Sequence, residues 1–426
     1  MRVWIVQVGE LLRGIDDNAR DYRGMLLARE LAGRGHEVVR WANTFEHTKK
    51  RFRFSESRTV ALSPNLTVRL VHALPGYQRN ISIARWLQNR RMVQLFHRES
   101  ESWPRPDLIF AGLPVPELAE GACCLGRRWG IPVVVDVRDL WPDVYLTPLP
   151  EAFRPLARLL LTSEFRRSSR VLNSATAITA ISETYFSWAF AQRDRQASPD
   201  DGVFPLGVVD QQKAVTAKGD EGAIHARLGI VGQPFVVSFA GTFGNSYDIT
   251  TVVRAARLLE ARGRKTVHIV MAGDGQARPR ARELAVGLSN ISLPGWLDEA
   301  EVRAMNGIAG VGLCAYAVGA LQSLPIKIAE YLVAGLPLIS SLKGEMQDLL
   351  ERTGCGRSYA AGNPESLADT IEWIVDHPRE RQDMAARAHE LFLRRFDAAV
   401  IYPALATRVE AIGSRAKRSF AVELSR

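Results

Sequence analysis

Residues 323–340 read Ser323-Leu324-Pro325-Ile326-Lys327-Ile328-Ala329-Glu330-Tyr331-Leu332-Val333-Ala334-Gly335-Leu336-Pro337-Leu338-Ile339-Ser340. This is a helix followed at once by a buried strand. Ser323 is placed to cap the helix, and Pro325 falls in its first turn, where proline is favoured. Gly335 stops the helix, and Leu336-Pro337 leads into a short apolar strand. One helix–strand unit of this kind is a rung of an α/β domain.

The same rhythm runs outward in both directions. In the second half the sequence predicts strands at Phe235–Ala240, Thr266–Ala272, Ile291–Leu293, Val311–Cys314 and Leu338–Ser340. Helices are expected at Ile249–Ala261, Arg278–Val286, Glu299–Asn306, Ile326–Ala334, Met346–Arg352, Pro364–Asp376, Pro378–Arg394 and Ala398–Ile412. In the first half, strands are expected at Val3–Val8, Glu37–Trp41, Leu66–His72, Asp107–Ala111, Pro132–Val137 and Ala177–Ala180. The helices there are Ala19–Gly33, Ile81–His97, Pro116–Trp129 and Phe153–Ala175. Alternating strands and helices predict a parallel sheet in each half. Pro132–Val135 is uniformly apolar, as a strand covered on both faces should be.

The 426 residues suggest two domains. The polar, turn-rich stretches Pro199–Gly202 and Lys213–Gly222 suit a linker region. The expected division is 1–210, 211–395, and a C-terminal helix and tail at 396–426 that returns to the first domain. The four cysteines form no CxxC and no Cys/His cluster, so structural zinc and a disulfide framework are not expected. They fit small buried residues in a reducing cytoplasm. Val3–Val8 is too short for a secretory h-region, and no stretch is long enough for a spanning helix. The net charge of +9 suits phosphorylated ligands or anionic lipid. No basic motif with interleaved aromatics is present, so nucleic acid is not an expected partner.

In doubly wound sheets, ligands bind beyond the carboxyl ends of the strands. Four loops in the second half lie there. Gly241, Thr242, Gly244 and Asn245 follow one strand; Gly241 and Gly244 let a phosphate or sugar approach the backbone, and the other two side chains form hydrogen bonds. Gly273 and Gly275 flank Asp274 in a tight turn. Trp296 follows another strand, where a base can pack beside it; a core tryptophan is the equal alternative. The fourth loop is Gln322, Ser323 and Leu324 with the helix they open. Its first amides and dipole attract a diphosphate, Lys327 adds a cation, and Glu330 can accept two ribose hydroxyls. A plain surface ion pair between Lys327 and Glu330 is the competing reading. In the first half, Arg138, Asp139 and Asp143 follow the buried strand, and Asp16, Asp17 and Asn18 follow the first strand. Both groups are placed to meet an acceptor's hydroxyls.

As a set, these residues resemble the family 4 retaining glycosyltransferases. Gly35-His36-Glu37-Val38 is similar to that family's GHEV step, Gly273-Asp274-Gly275 to its GDG turn, and Asn290–Gly295 to its N-I-x-x-x-G strand. Glu330 with Ala334-Gly335-Leu336-Pro337 resembles its E-x-x-A-x-G-x-P box. Arg138-Asp139-Leu140-Trp141-Pro142 resembles the RDLWP segment of a subgroup that builds bacterial surface polysaccharides and includes enzymes similar to N-acetyl-fucosamine transferases. The resemblance implies the α/β GT-B fold, two Rossmann-like doubly wound parallel-sheet domains facing a central cleft. It implies donor binding by the second domain and acceptor binding by the first. The chain departs from the family at Gln322, where an acid is common, and at Thr242 and Tyr247, where a basic pair is usual.

The resemblance implies transfer from a nucleotide-diphosphate sugar, UDP- ahead of GDP-, with retention, no cofactor and no metal. Lys327, Glu330 and Asp139 are the expected catalytic residues, with Lys327 and the helix N-terminus stabilising the leaving group. The expected acceptor is a saccharide or a polyprenyl-diphosphate-linked saccharide. Basic amphipathic stretches at Ile81–His97 and Phe153–Arg170 suit an anionic membrane surface, so a cytoplasmic, peripheral location is expected. The rival readings are a nucleotide-sugar epimerase of similar fold and a non-catalytic sugar-nucleotide-binding protein.

Overall fold

The computed structural model describes residues 1–426 except 17, 18, 148, 195, 211–220, 425 and 426. The expected acceptor residues Asp17 and Asn18, and most of the linker stretch Lys213–Gly222, lie outside the described residues. The chain divides into two compact units, Met1–Pro205 with Ile401–Arg426, and Leu206–Val400.

The first unit holds an eight-stranded sheet. Its strands are β1 (Arg2–Val6), β2 (Glu37–Asn43), β3 (Arg58–Ser63), β4 (Leu66–Val71), β5 (Leu108–Leu113), β6 (Val133–Val137), β7 (Ala177–Ala180) and β8 (Gly202–Val203). They lie in the order β8-β7-β6-β5-β1-β2-β4-β3. The order reverses between β1 and β5, which is the topological switch point. The central strands are apolar because helices cover both faces; β5 and β6 are buried throughout. The sheet departs from an all-parallel one at its edge, where β3 runs antiparallel to β4. That strand is largely exposed, so it lacks the apolar run that marks the others. The helix expected over Phe153–Ala175 breaks into Arg154–Leu160 and Thr162–Ser174. Thr162 Oγ1 turns back to donate to the Leu159 carbonyl at 2.6 Å, competing with the helix backbone there.

The second unit holds six parallel strands: β9 (Phe235–Ala240), β10 (Val267–Ala272), β11 (Ile291–Gly295), β12 (Ala309–Cys314), β13 (Leu338–Ser340) and β14 (Gly356–Ser358). Their order is β11-β10-β9-β12-β13-β14, with the switch point between β9 and β12. Phe239, Val252, Ile269, Leu313 and Ile371 pack one face. Tyr331, Leu332, Met346 and Phe392 pack another cluster beneath the helix Ile326–Val333. Among the described residues no helix is long and apolar enough to cross a membrane.

Candidate functional site

The loops after β9, β10 and β11 are interlocked through their backbones. Gly241 N donates to the Ala272 carbonyl at 3.0 Å, Phe243 N to Asp274 O at 2.8 Å, and Gly273 N to Gly295 O at 2.7 Å. Glycine is required at the tightest point. A Cβ on Gly273 would lie 1.8 Å from the Gly241 carbonyl oxygen, and its φ of +147° disfavours any side chain. Three loops that are far apart in sequence thus form one rim beside the switch point.

Lys327 enters that rim from the other side of the switch point, from the first turn of the helix Ile326–Val333. Its side chain is not on the surface: the residue is 4% exposed. The ammonium lies 4.3 Å from the Phe239 ring centre, 4.1 Å from that of Tyr247 and 5.5 Å from that of Tyr316. A Cβ on Gly241 would sit 2.9 Å from Nζ, so the glycine leaves room for the cation. Nζ has no hydrogen-bond partner among the described residues. Ring faces attract a cation but accept no full hydrogen bond, so no carboxylate or carbonyl among the described residues satisfies Nζ. The surface ion pair with Glu330 is therefore not the role of Lys327. Glu330 itself is half-buried.

The rest of the predicted donor set divides. Thr242 and Asn245 are exposed, and Asn245 Oδ1 accepts from Gln276 Nε2 at 2.7 Å. Trp296 is 58% exposed, so it is not a core tryptophan. Gln322 Oε1 is buried without a hydrogen-bond partner among the described residues. Leu324 packs in the core with Tyr316 and Ile328. The expected Ser323 cap is not formed. Pro325 is extended, with φ −70° and ψ 154°, and takes the N-cap position itself. Ser323 Oγ instead donates to Glu345 Oε2 at 2.7 Å.

In the first unit the predicted acceptor loops are held by buried ion pairs. Asp16 accepts from Arg53 at 2.5 and 2.8 Å and from Leu12 N at 2.7 Å. Arg138 donates to Glu10 Oε1 at 2.5 Å, and Arg40 donates to Glu10 Oε2 at 3.0 Å. Burial pushes the Glu10 carboxyl upward, but Arg138 and Arg40 outweigh it and hold its pKa below the usual range. Asp143 Oδ2 accepts from the Trp188 indole at 2.9 Å. Asp139 Oδ1 accepts from Leu140 N at 2.9 Å. Burial raises the Asp139 pKa above that of an ordinary carboxyl, against the opposing pull of that amide, Trp141 and the nearby arginines.

Sequence reading missed several of these residues. Arg23 grips Asp136 through two hydrogen bonds of 2.7 and 2.8 Å, and also donates to the Phe204 carbonyl at 2.7 Å. Asp136 inside an apolar strand was the available signal, since a buried charge needs a partner. Phe239 and Tyr316 read as ordinary core aromatics and carried no signal for the lysine they surround.

Comparison with known proteins gives two family matches. Residues 23–196 match the family described as Glycosyl transferase 4-like domain, and residues 220–391 match Glycosyl transferases group 1. Alpha-D-kanosaminyltransferase of Streptomyces kanamyceticus is 26% identical over 185 residues, 43% of this chain and 47% of that protein. The match therefore spans about half the length of that relative. Among solved structures, sucrose-phosphate synthase from Thermosynechococcus elongatus aligns with a TM-score of 0.73 at 15% identity, over 99% of both chains. Anabaena HepE, solved in complex with UDP-glucose, aligns with a TM-score of 0.67 at 14% identity, over 96% of this chain and 100% of that one. At such identities the likeness carries the fold alone.

Proposed function

From a chain built of a glycosyl transferase 4-like domain and a glycosyl transferases group 1 domain, in the GT-B fold, we infer a glycosyltransferase that uses a nucleotide-diphosphate sugar. The observation that carries this reading is Lys327. A desolvated ammonium without a hydrogen-bond partner, beside a glycine rim at a switch point, is a counter-charge awaiting an anion. The diphosphate of a donor supplies that anion. UDP-sugars come ahead of GDP-sugars, in keeping with the UDP-glucose held by the Anabaena neighbour.

The reaction breaks the bond from the anomeric carbon to the phosphate oxygen and forms one to an acceptor hydroxyl on the same face. The hydroxyl proton passes to the departing phosphate, so the products are a nucleoside diphosphate and a glycoside. Lys327 stabilises the charge that grows on the leaving group. Glu330 positions the nucleotide's ribose, Trp296 packs against the base, and Asp139 orients the acceptor hydroxyl. No metal or cofactor enters this scheme.

The acceptor in this reading is a saccharide, free or polyprenyl-diphosphate-linked, in bacterial surface polysaccharide synthesis. The RDLWP segment supports that subgroup and an N-acetyl-fucosamine type of donor. Leu156, Leu159 and Leu160 stand exposed beside Arg154 and Arg158, which supports a peripheral site on an anionic membrane. The test is nucleotide release from a panel of UDP- and GDP-sugars, with and without a lipid-diphosphate saccharide. Release that depends on acceptor supports transfer. An epimerised sugar without acceptor, or nucleotide binding without turnover, sinks it in favour of the two rivals.

A further inference from the structure

Two tyrosines stand beside Lys327. Tyr247 belongs to the loop after β9 and Tyr316 to the segment after β12, on opposite sides of the switch point. Backbone bonds stitch the two segments together. Asp248 N donates to the Ala315 carbonyl at 3.2 Å, and Ala317 N donates to the Ser246 carbonyl at 3.0 Å. The two ring centres are 4.8 Å apart, and the Phe239 ring meets that of Tyr247 edge-on at 5.5 Å. The Tyr247 ring is therefore fixed beside the ammonium before any ligand arrives.

The direction of the bond between the two hydroxyls follows from burial. Tyr316 is 1% exposed, and its hydroxyl has one partner among the described residues, the Tyr247 oxygen at 3.4 Å. Burial first, and Tyr247 next, hold the Tyr316 pKa well above that of an ordinary phenol, so Tyr316 keeps its proton. A buried hydroxyl proton with one acceptor in reach is donated to it; the reverse arrangement strands that proton without a partner. Tyr247 thus accepts, and its own proton is left over. Tyr247 is half-buried, and that proton has no acceptor among the described residues.

The spare donor lies at the glycine rim. A Cβ on Gly241 would sit 2.9 Å from Lys327 Nζ and 3.5 Å from Tyr247 Cζ. The cation and the carbon that bears the hydroxyl therefore converge on one bare stretch of backbone. Nζ is buried, while the phenol is only half-buried. An anion arriving at Gly241 meets a hydroxyl with a positive charge beside it. A chain of hydroxyls polarises along its length, which makes its terminal member a stronger donor.

We propose that Tyr247 is a further residue of the donor site, its hydroxyl donating to an oxygen of the leaving phosphate, with Tyr316 as the positioning residue that donates to Tyr247 from behind. The proposal rests on the glycosyltransferase reading and adds a neutral donor to its one cation. No proton leaves Tyr247; its hydrogen bond strengthens as charge grows on the phosphate.

Tyr247→Phe deletes the hydroxyl and keeps the ring face that holds Lys327. The experiment is calorimetry on the full chain with UDP, UMP and inorganic diphosphate, each variant being checked by its unfolding transition. Tyr247→Phe binds UDP and inorganic diphosphate about tenfold or more weakly, as loss of a hydrogen bond to a charged group requires, and binds UMP, which lacks the leaving phosphate, as wild type does. Tyr316→Phe gives a smaller loss for UDP in the wild-type chain and none in the Tyr247→Phe background, a dependence that a packing role does not produce. UDP affinity at or above the wild-type level in folded Tyr247→Phe overturns the relay and leaves the donor reading standing. Diphosphate binding that needs the Tyr247 hydroxyl, in a chain that binds UDP no more tightly than inorganic diphosphate, keeps the contact and sinks the nucleotide donor. A wild-type chain that binds neither ligand overturns both.

Discussion

The Lys327 ammonium lies 4.1 Å from the centre of the Tyr247 ring and has no hydrogen-bond partner among the described residues. Tyr247 occupies a position where the resembling family commonly carries a base. The ring replaces a second cation with a weak attractor beside the buried lysine, while the guanidinium of Arg278 at the same rim is paired with Asp274 at 2.8 Å. Tyr247 is itself held in place, since its hydroxyl accepts from Tyr316 at 3.4 Å and its loop bridges to Tyr316.

Replacing Tyr247 with leucine keeps bulk but removes the ring face. The expected loss is about 1–2 kcal/mol of stability, the size of a desolvated cation–π contact. Chemical denaturation measures it. In a Lys327→Met background the same substitution should cost much less, because the two effects are coupled.

Gly273→Ala places a Cβ at 1.8 Å from the Gly241 carbonyl oxygen. Backbone, not a flexible side chain, stands in the way, so the rim has to open. A loss of roughly 2 kcal/mol or more is expected, together with loss of UDP binding. Calorimetry on the folded variant at low temperature separates the two; native UDP affinity would rule out the rim.

Glu10→Gln leaves Arg40 and Arg138 facing a neutral amide in a site where the glutamate side chain is only 5% exposed. Breaking a buried ion network of this kind costs about 3–5 kcal/mol. The folded-state pKa of Glu10 is depressed, so its contribution is present above the unfolded value of about 4.5 and is lost as pH falls through the lower folded value. Denaturation midpoints should converge between wild type and variant on acidification; a constant gap would contradict the linkage.

His47 follows the opposite chemistry with the same direction. Its folded pKa of about 4 lies below the unfolded 6.5, so the unfolded chain binds a proton first. Stability is full above pH 6.5 and falls as pH drops toward 4, by about 2 kcal/mol between pH 7 and pH 5. Lys50 and Arg85 face the ring, and Lys50→Gln should raise the His47 pKa. Imidazole resonances followed by NMR check both statements.

The parallel sheets were legible because their strands are apolar runs between amphipathic helices, and Phe235–Ala240, Ile249–Ala261 and Pro364–Asp376 have the expected bounds. The edge strand β3 escaped because most of its residues are exposed and its apolar residues are interrupted by polar ends, so it shows no buried apolar run. The glycine rim was legible as separate turns, but its interlocking depends on which strands are neighbours, which no single turn encodes. Ser323 misled because a serine two residues before a proline looks like a cap, while the extended Pro325 takes the N-cap position two residues later. The burial of Lys327 was hidden for another reason: its ring partners Phe239, Tyr247 and Tyr316 come from two other loops and strands.

The central claim is that the buried Lys327 charge exists for the donor's diphosphate. Lys327→Met keeps the bulk of the side chain and removes a buried charge, so the fold should be as stable as wild type or more so. The decisive measurement is acceptor-dependent UDP release by this variant at saturating donor. The account predicts a fall of about 10²–10³-fold in turnover with an unimpaired unfolding transition. Wild-type turnover in a folded Lys327→Met protein would contradict it.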